Sequence, residues 1–389
     1  MSRLNVGNLF NENEDGAPVV SGISTFSSPH YFVPPSGTTA QRPSNPGEGM
    51  IRFNTDSGHL EYYNSELWVD VIVNNNNLGV STEANTISAK GTGTRGIFAG
   101  GYVPGGTGDR DRIDYFTIST LGHAQDFGNL SNARRGFDGA SSNTRAVFSG
   151  GAGTNNGGDT RVQDFITISS TGDAASFGDL TAGRENGKSC GNQTRGLHCG
   201  GGNSPSPFTN DMNYFTIAST GSCQDFGNLS FNTSECSSLS SPVRGIFNAN
   251  GPSPGSVRNN IDYWTISTTG NALDFGDLVV ANHNATAAAG SPVRGIFGSM
   301  NPSSNTLEFI TITSTGNAQD FGDLNQPYAS ANATSNPIRY VVAGGTQPSN
   351  PQNAMSFVTI ATTGNGADFG DLTMARFSQA AASNGHGGL

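Results

Sequence analysis

Four short runs of apolar or small residues, separated by turns rich in Gly and Asn, follow one another along this chain. In the segment 133–180 they are the small residues at 136–142, then Arg145–Gly151, Asp164–Ile168 and Ala174–Leu180. None of them shows the 3.6-residue period of an amphipathic helix, and runs of this length between turn residues are typical of β-strands. The pattern predicts an all-β fold with four strands in each unit.

The same pattern recurs six times. The clearest copy of its last part reads TISTTGNALDFGDL, Thr265–Leu278. A Phe-Gly pair recurs at Phe127-Gly128, Phe177-Gly178, Phe226-Gly227, Phe275-Gly276, Phe321-Gly322 and Phe369-Gly370. An arginine recurs with nearly the same step at Arg95, Arg145, Arg195, Arg244, Arg294 and Arg339. Two markers with one period of about 46 to 50 residues indicate an array of stacked units.

The third run of each unit is apolar on both faces, as in Tyr263-Trp264, which is followed by Thr and Ile. A strand with one face in water would alternate apolar and polar residues, so we expect each sheet to lie between two others. The first run instead contains small residues, as in 285–290, which suits strands crowded near an axis. These features predict a six-bladed β-propeller, with a parallel β-solenoid as the alternative.

Closure of a propeller needs a strand from one end of the chain. The run at 375–384 is similar to the small-residue run at 133–143, and a comparable copy lies at 84–94. Either copy would complete the ring and remove its open sheet edge.

The residues before the repeats follow another pattern. Prolines at 34, 35, 43 and 46 break regular structure, and we predict an extended arm at 1–35. Alternating runs at 50–54, 59–63 and 67–71, with the turn Asp56–Gly58, predict a small β-meander module at 36–76. A linker at 77–83 and the propeller at 84–389 follow. So short a meander buries little core by itself and needs the propeller or further copies as a partner.

Composition narrows the classes of function. The net charge of −11 argues against nucleic acid and anionic membrane surfaces as partners, since both attract basic proteins. No apolar run has the length of a signal peptide core or a membrane span, so we expect neither. The four cysteines do not match a paired metal-binding motif. We interpret them as small buried thiols, and a disulfide stays open as the alternative.

The search for catalytic motifs predicts no enzyme. The tripeptide Asp-Phe-Gly of protein kinases recurs in five of the six units without the other kinase motifs. An arginine that occupies one position in every unit indicates a structural role, such as a hydrogen bond to a neighbouring loop. The acids Asp109, Asp111 and Asp114 alternate, but they lack the Gly and Glu of an EF-hand, and we interpret them as a solvated loop. We therefore predict no catalytic residue, no metal and no cofactor.

The connections after the second run differ strongly between units, at 102–112, 152–162, 203–211, 248–260, 298–306 and 346–354. Because they occupy one position in the unit, we expect them on one face, where variable loops on a rigid scaffold commonly recognise ligands. The side chains best suited to stack on or hydrogen-bond a ligand, including a sugar, are Tyr102, Arg110, Arg112, Phe208 and Arg258. The alternative is that these loops only face solvent.

The N-terminal module carries a resemblance. The stretch TAQRPSNPGEGMIRFNTDSG, Thr39–Gly58, with Leu60–Asn64 and Trp68–Val71, resembles a segment that recurs in virion proteins of tailed phages. It is commonest in tail-fibre-like and other structural proteins of marine cyanophages. The preceding residues 22–27 and 32–35 are similar to the same group, so the resemblance covers about residues 18–71. The Gly-Gly pairs at 100–101, 150–151 and 344–345 also resemble those of kelch-like arrays, whereas the DFGDL element does not.

The resemblance implies a non-enzymatic structural protein of the phage virion, on the tail or the capsid surface. We expect the module to attach to other virion proteins, with Phe53, Tyr62, Tyr63 and Trp68 as contacts. The fibre-like resemblance implies a homo-oligomer, with a trimer as the expected state. In the preferred hypothesis, a tail fibre or short appendage displays the propeller to a host-surface glycan or protein. The alternative is a decoration protein of the capsid or tail without a host ligand. A depolymerase is a distant third, because no motif places a pair of acids.

Overall fold

A computed structural model describes residues 34–71, 94–104, 108–153, 158–202, 208–233, 236–248, 258–282, 287–298, 304–347 and 349–389. The chain divides into two compact units, Met1–Ala84 and Asn85–Leu389. Apart from the short 3₁₀ helix Thr39–Gln41, every regular element of the described residues is a β-strand, which confirms the all-β class. Most of the predicted arm, residues 1–33, and the predicted linker at 77–83 lie outside these ranges.

The described part of the N-terminal unit is one four-stranded sheet. Its strands, in hydrogen-bonded order, are Ser36–Gly37, Ile51–Asn54, His59–Tyr63 and Trp68–Val71. The first pair is parallel and the other two are antiparallel, so the runs predicted as a meander form three successive strands. The turn at 55–58 suits its sequence, because Gly58 has φ +70° and the Asn54 side chain accepts the Asp56 N–H at 2.9 Å.

The described residues of the larger unit form six four-stranded antiparallel sheets, which we number 1 to 6. Sheet 1 contains Ala380–Ser383, Arg95–Ala99, Arg112–Thr117 and Gln125–Asn129; sheet 2 contains Asp138–Ser141, Arg145–Ser149, Val162–Thr167 and Ala175–Asp179. Sheet 3 contains Lys188–Gly191, Arg195–Cys199, Thr209–Thr216 and Gln224–Thr233; sheet 4 contains Ser237–Ser240, Arg244–Asn248, Arg258–Thr265 and Leu273–Asn282. Sheet 5 contains Ala287–Gly290, Arg294–Gly298, Thr306–Thr311 and Gln319–Asp323; sheet 6 contains Asn332–Ser335, Arg339–Ala343, Ala354–Thr359 and Ala367–Asp371.

Sheet 1 combines strands from both ends of this unit. Its first strand is Ala380–Ser383, which pairs antiparallel with Arg95–Ala99, for example Ala380 opposite Ala99. Of the two copies of the small-residue run, the one at 375–384 therefore supplies this strand. The copy at 84–94 lies outside the described residues except for Thr94.

Short hairpins follow the second strands of three sheets. They pair Tyr102–Val103 with Gly108–Asp109, Ala152–Gly153 with Gly158–Asp159, and Thr346–Gln347 with Asn350–Pro351. In sheets 3 and 4 the third strand has 8 residues and the fourth has 10, and their pairing has a second register shift besides the one found in the other sheets. The six sheets are therefore alike in topology but differ where the second strand leads into the third.

Apolar side chains fill the space between each sheet and the next. One cluster joins sheets 1 and 2 and contains Ile97, Phe148 and Ile166. Equivalent clusters join sheets 2 and 3, 3 and 4, 4 and 5, 5 and 6, and also 6 and 1. On the third strand of sheet 2, Ile166 belongs to the cluster towards sheet 1, whereas Phe165 packs against the cluster towards sheet 3. This two-sided packing explains why the third runs are apolar on both faces.

Candidate functional site

The repeated arginines connect neighbouring sheets. Arg145 of sheet 2 donates from NH1 to the carbonyl of Ile217, which follows the third strand of sheet 3, at 3.1 Å. Its guanidinium lies 4.3 Å from the ring of Phe165 in its own sheet. The same two contacts recur for Arg95, Arg195, Arg244, Arg294 and Arg339, and Arg339 of sheet 6 reaches Ile118 beside sheet 1. These contacts agree with the structural role inferred from the repeat.

The Phe-Gly pair also joins one sheet to the next. Gly172, in the turn of sheet 2, donates its N–H to the carbonyl of Phe127 at 2.7 Å. A Cβ added to Gly128, which has φ +146°, would lie 2.4 Å from the Gly172 oxygen, so only glycine fits there. The equivalent contact recurs at every junction, including Gly370 of sheet 6 with Gly122 of sheet 1. The repeated DFG element is thus an inter-sheet contact.

Three fully buried arginines that sequence reasoning missed, Arg134, Arg184 and Arg376, lie in the connections that lead into a first strand. Arg134 is fully buried, and its NH1 lies 2.7 Å from Oδ2 of Asp164, which also accepts a hydrogen bond from Ser131. Arg376 and Asp114 form the equivalent buried pair in sheet 1 at 3.2 Å. A signal was available, since arginine recurs in the connections at 134, 184 and 376.

Two other sheets hold the equivalent carboxylate without arginine. In sheet 4 Asp262 is bound by the hydroxyl and N–H of Ser230, and in sheet 5 Glu308 accepts the N–H groups of Val279 and Val280. Burial raises the pKa of Asp262 and of Glu308 above their usual values, and these hydrogen bonds only partly oppose the effect. All four carboxylates lie at junctions between sheets and none faces an open site.

The first strands line a small cavity. Their free edges are bridged by hydroxyl groups of neighbouring strands, as where Ser240 Oγ donates to the Gly191 carbonyl at 2.6 Å and Ser335 Oγ to the Gly290 carbonyl at 2.7 Å. Asp138, the only carboxylate among the lining residues, accepts hydrogen bonds from Ser189, Asn332 and Ala381. The cavity volume of about 50 Å³ suits a few water molecules. It is far below the roughly 300 Å³ of small-molecule sites.

The connections between second and third strands form what we call the loop face. In sheet 1, Tyr102 pairs with Phe377 through its backbone and packs its ring against the Phe377 ring at 5.4 Å. Arg135 lies 5.0 Å from the Tyr102 ring and donates to the buried Asp109 carboxylate at 2.7 Å. This arrangement holds a partly exposed guanidinium beside an aromatic ring, which suits an acidic or sugar ligand. Sequence reasoning did not select Arg135 or Phe377.

The other predicted ligand residues lie on three sheets. Arg112 is partly exposed beside Asp114 and Asp126, and Arg110 precedes it in the same connection of sheet 1. Phe208 precedes the third strand of sheet 3 and covers Gly202. Arg258 begins the third strand of sheet 4, and its guanidinium lies 4.1 Å from the ring of Phe231 in sheet 3. All five predicted residues therefore belong to the loop face, where they are distributed over sheets 1, 3 and 4.

The predicted attachment residues occupy both faces of the N-terminal sheet. Direct pairing places Phe53 and Leu60 on one face with Ile51, Tyr62 and Val69. Ile51, Phe53 and Tyr62 are 55%, 37% and 39% exposed, so this face presents apolar side chains to solvent.

Tyr63 and Trp68 lie on the opposite face, where their rings are 5.6 Å apart. Arg42 and Arg52 approach the Trp68 ring at 5.9 and 6.0 Å, and both bind the buried Glu61. Hydrogen bonding to Arg42 lowers the pKa of Glu61 below its usual value, with smaller contributions from Asn54 and Arg52.

Other candidate chemistry is limited. Within the described ranges, no group of three or more His, Cys, Asp or Glu side chains is placed to hold a metal ion. No helix among these residues has the length and apolar character needed to cross a membrane. All four cysteines are buried, and burial raises the pKa of Cys190, Cys199 and Cys223, which keeps their thiols protonated.

Comparison with known proteins adds no relative. No protein-family model matches the chain, and no curated protein matches it significantly. The proposed function therefore rests on the contacts of the described residues and on the resemblance of the N-terminal segment.

Proposed function

We propose that the six sheets are the blades of a closed six-bladed β-propeller. Three sets of contacts support this arrangement: the apolar clusters, the arginine hydrogen bonds and the Phe-Gly contacts each run from sheet 1 through sheet 6 and back to sheet 1. Pairing of Ala380–Ser383 with Arg95–Ala99 joins the two ends of the unit within one blade. A parallel β-solenoid has no contact between its first and last units, which disfavours that alternative.

We further propose that the chain is a non-enzymatic structural protein of a phage virion. In this proposal the N-terminal sheet attaches to other virion proteins and the propeller displays its loop face for recognition of a host-surface glycan or protein. The resemblance of residues 18–71 to tailed-phage virion proteins supplies the virion context. The exposed apolar face formed by Ile51, Phe53 and Tyr62 supports the attachment role, because such a face is a favourable site for a protein partner.

One observation carries the display role. The residues that repeat from blade to blade, the arginines and the Phe-Gly pairs, are used in contacts between neighbouring sheets. The strongest variation between blades therefore remains in the connections of the loop face. A rigid framework with one variable face is the arrangement expected of a binding module.

Binding of the full-length protein to intact host cells tests this proposal. We expect saturable binding that is lost when Arg110, Arg112 and Phe208 are all replaced by alanine. The matched control replaces Asn143, Gln193 and Thr194, which are exposed in the turns between first and second strands, and should bind like the natural protein. Equal binding by both variants would contradict recognition by the loop face.

The alternative is a decoration protein of the capsid or tail without a host ligand. It is favoured if the full-length protein does not bind host cells at micromolar concentration. Labelling of intact particles with an antibody against this chain, viewed by electron microscopy, separates the two. A position at the tail supports host recognition, whereas a position on the capsid supports decoration.

A further inference from the structure

Residues 384–389 lie across one end of the cavity lined by the first strands. They follow directly after Ala380–Ser383, the first strand of sheet 1, and both His386 and Gly387 line the cavity. The segment reads Asn-Gly-His-Gly-Gly-Leu. Its contacts reach five of the six sheets, as follows.

The segment is fitted closely to the ends of the first strands. Asn384 accepts the N–H of Arg95 at 2.7 Å, which continues the pairing of sheet 1. A Cβ on Gly387 would lie 2.6 Å from the carbonyl oxygens of Ser240 and Ser291, which belong to sheets 4 and 5. A Cβ on Gly388 would lie 2.0 Å from the Gly191 oxygen of sheet 3. Only glycine allows the chain to pass this close to the carbonyl groups of three sheets.

The His386 ring holds the segment through both of its nitrogens. Nε2 lies 2.7 Å from the Ser141 carbonyl of sheet 2, and Nδ1 accepts the N–H of Gly388 at 3.0 Å. Because a carbonyl oxygen only accepts, Nε2 carries the proton and Nδ1 supplies a lone pair. The neutral ring with its proton on Nε2 satisfies both contacts, whereas the imidazolium has no lone pair left for Gly388.

We infer that residues 384–389 form a proton-sensitive latch, which holds the first strand of sheet 1 in place at neutral pH and loosens when His386 is protonated. The strand Ala380–Ser383 joins the two ends of the larger unit, so release of the latch exposes the seam between this strand and Arg95–Ala99. His386 is half-buried, so protons can reach the ring from solvent.

The direction of the pH effect follows from the surroundings. Burial lowers the pKa of His386, and the hydrogen bond to the Ser141 carbonyl opposes this only in part. The latch is therefore fully formed above the ordinary histidine pKa of about 6.5. It is lost as the pH falls through the lower pKa that His386 has in the folded protein.

Few other charged groups face the cavity. The first strands of sheets 2 and 3 contribute Asp138, Lys188 and Cys190, whereas those of sheets 4, 5, 6 and 1 contribute none. Asp138 and Lys188 stand at the opposite ends of their strands from His386, and the raised pKa of Cys190 keeps its thiol neutral. The guanidinium of Arg95 binds the carbonyl of Ile168. His386 is therefore the histidine at this end of the cavity, and its protonation on acidification is the change that the latch senses.

Hydrogen exchange of the full-length protein, read by mass spectrometry at about pH 7.5 and about pH 5, tests the latch on either side of the ordinary histidine pKa. The relevant peptides cover 380–389 and 95–99. His386→Gln supplies a donor and an acceptor but does not titrate, and His386→Ala lacks both. His123→Gln is the matched control, since His123 is exposed, precedes the fourth strand of sheet 1 and lies next to Asp371 of sheet 6, away from the cavity. Comparing variants at one pH cancels the intrinsic effect of pH on exchange.

At about pH 7.5 we expect the natural protein and His386→Gln to exchange alike. At about pH 5 the natural protein should exchange several-fold faster than His386→Gln, because only its latch is loosened by protonation. His386→Ala should exchange fast at both values, and His123→Gln should match the natural protein throughout. The latch is overturned if His386→Ala keeps the protection of the natural protein at about pH 7.5. It is equally overturned if the natural protein and His386→Gln still exchange alike at about pH 5, because protonation of His386 would then not loosen the segment.

Discussion

The two units of this chain bury opposite kinds of side chain. In the N-terminal sheet the fully buried residues among 34–71 are Arg52, Asn54 and Glu61, while Ile51 and Phe53 face solvent. In the six-sheet unit, apolar clusters fill every junction between neighbouring sheets. Some buried charges there are held in pairs, such as Arg134 with Asp164, and others by hydrogen bonds alone, such as Asp262.

This difference concerns the source of folding stability in each unit. Burial of apolar surface is the main favourable term in folding, so the six-sheet unit carries its own source of stability. The N-terminal sheet holds a charged cluster together but leaves its apolar face uncovered. A sheet of this size gains stability from covering that face with a partner, which accords with the proposed attachment role.

The largest effect is expected for Arg134→Met in the six-sheet unit. The substitution leaves the buried Asp164 carboxylate without its cation, and breaking such a pair typically costs about 3 to 5 kcal/mol of unfolding free energy. Denaturant unfolding followed by Trp264 fluorescence measures the loss. The control Arg258→Met, which removes a partly exposed arginine stacked on Phe231, should cost below about 1 kcal/mol. Equal losses for the two variants would contradict the role of the buried pair.

A second prediction concerns acid sensitivity, which should arise mainly in the six-sheet unit. His198 is fully buried, its Nδ1 lies 2.9 Å from Ser189 Oγ, and nothing among the described residues hydrogen-bonds its Nε2. Burial, with Arg184 and Lys188 nearby, lowers the pKa of His198 to about 3. The stability that the folded protein gains from keeping His198 neutral is fully present above the unfolded-state histidine pKa of about 6.5, and it is lost as the pH falls towards 3. The loss is about 2 kcal/mol at about pH 5.

Unfolding experiments at several pH values between about 7 and about 5 test this prediction. His198→Gln should flatten the pH dependence of stability over that range, whatever its effect at neutral pH. His59→Gln in the N-terminal sheet, where the histidine is exposed, should leave the slope unchanged. An unchanged slope in His198→Gln would assign the acid sensitivity to another group.

A smaller and local effect is expected for Glu61→Gln in the N-terminal sheet. The carboxylate bridges Arg42 and Arg52, but the Arg42 side chain is partly exposed, so this ion pair is less shielded from solvent than that of Asp164 with Arg134. Because folding lowers the pKa of Glu61, its carboxylate stabilises the sheet fully above the usual glutamate pKa. This stabilisation is lost as the pH falls through the pKa that Glu61 has in the folded protein.

Limited proteolysis measures this local effect. Glu61→Gln should speed cleavage within 34–71 and should leave the unfolding midpoint of the six-sheet unit unchanged. Glu66→Gln, at an exposed position of the same sheet, serves as the control. A shift of the six-sheet midpoint in Glu61→Gln would show that the two units are energetically coupled.

The periodicity of the chain predicted most of the framework. Two markers at one spacing defined six units, and apolar pairs such as Phe165-Ile166 predicted strands packed on both sides. The repeated arginines were interpreted as structural because one position served every unit, and their bonds to neighbouring carbonyls agree with this.

Other features depend on contacts that the sequence pattern does not contain. Arg134 meets Asp164 thirty positions away, and only the fold brings the two together. Likewise, Arg135 and Phe377 flank Tyr102 from distant parts of the chain, so the loop-face cluster could not be assembled from sequence. The latch at His386 was missed because a glycine-rich end carries no periodic signal.

The smallest effect on stability, with a large effect on association, is expected for Phe53→Ser. Its side chain is already exposed, so the substitution should change the unfolding free energy by less than about 0.5 kcal/mol. If the apolar face binds another virion protein or another copy of this chain, loss of the ring removes a central contact. Particle incorporation and the oligomeric state by light scattering should both fall. Val243→Ser, at an exposed apolar position of the six-sheet unit, should change neither. Retention of both properties in Phe53→Ser would move the attachment site to the opposite face, where Tyr63 and Trp68 lie.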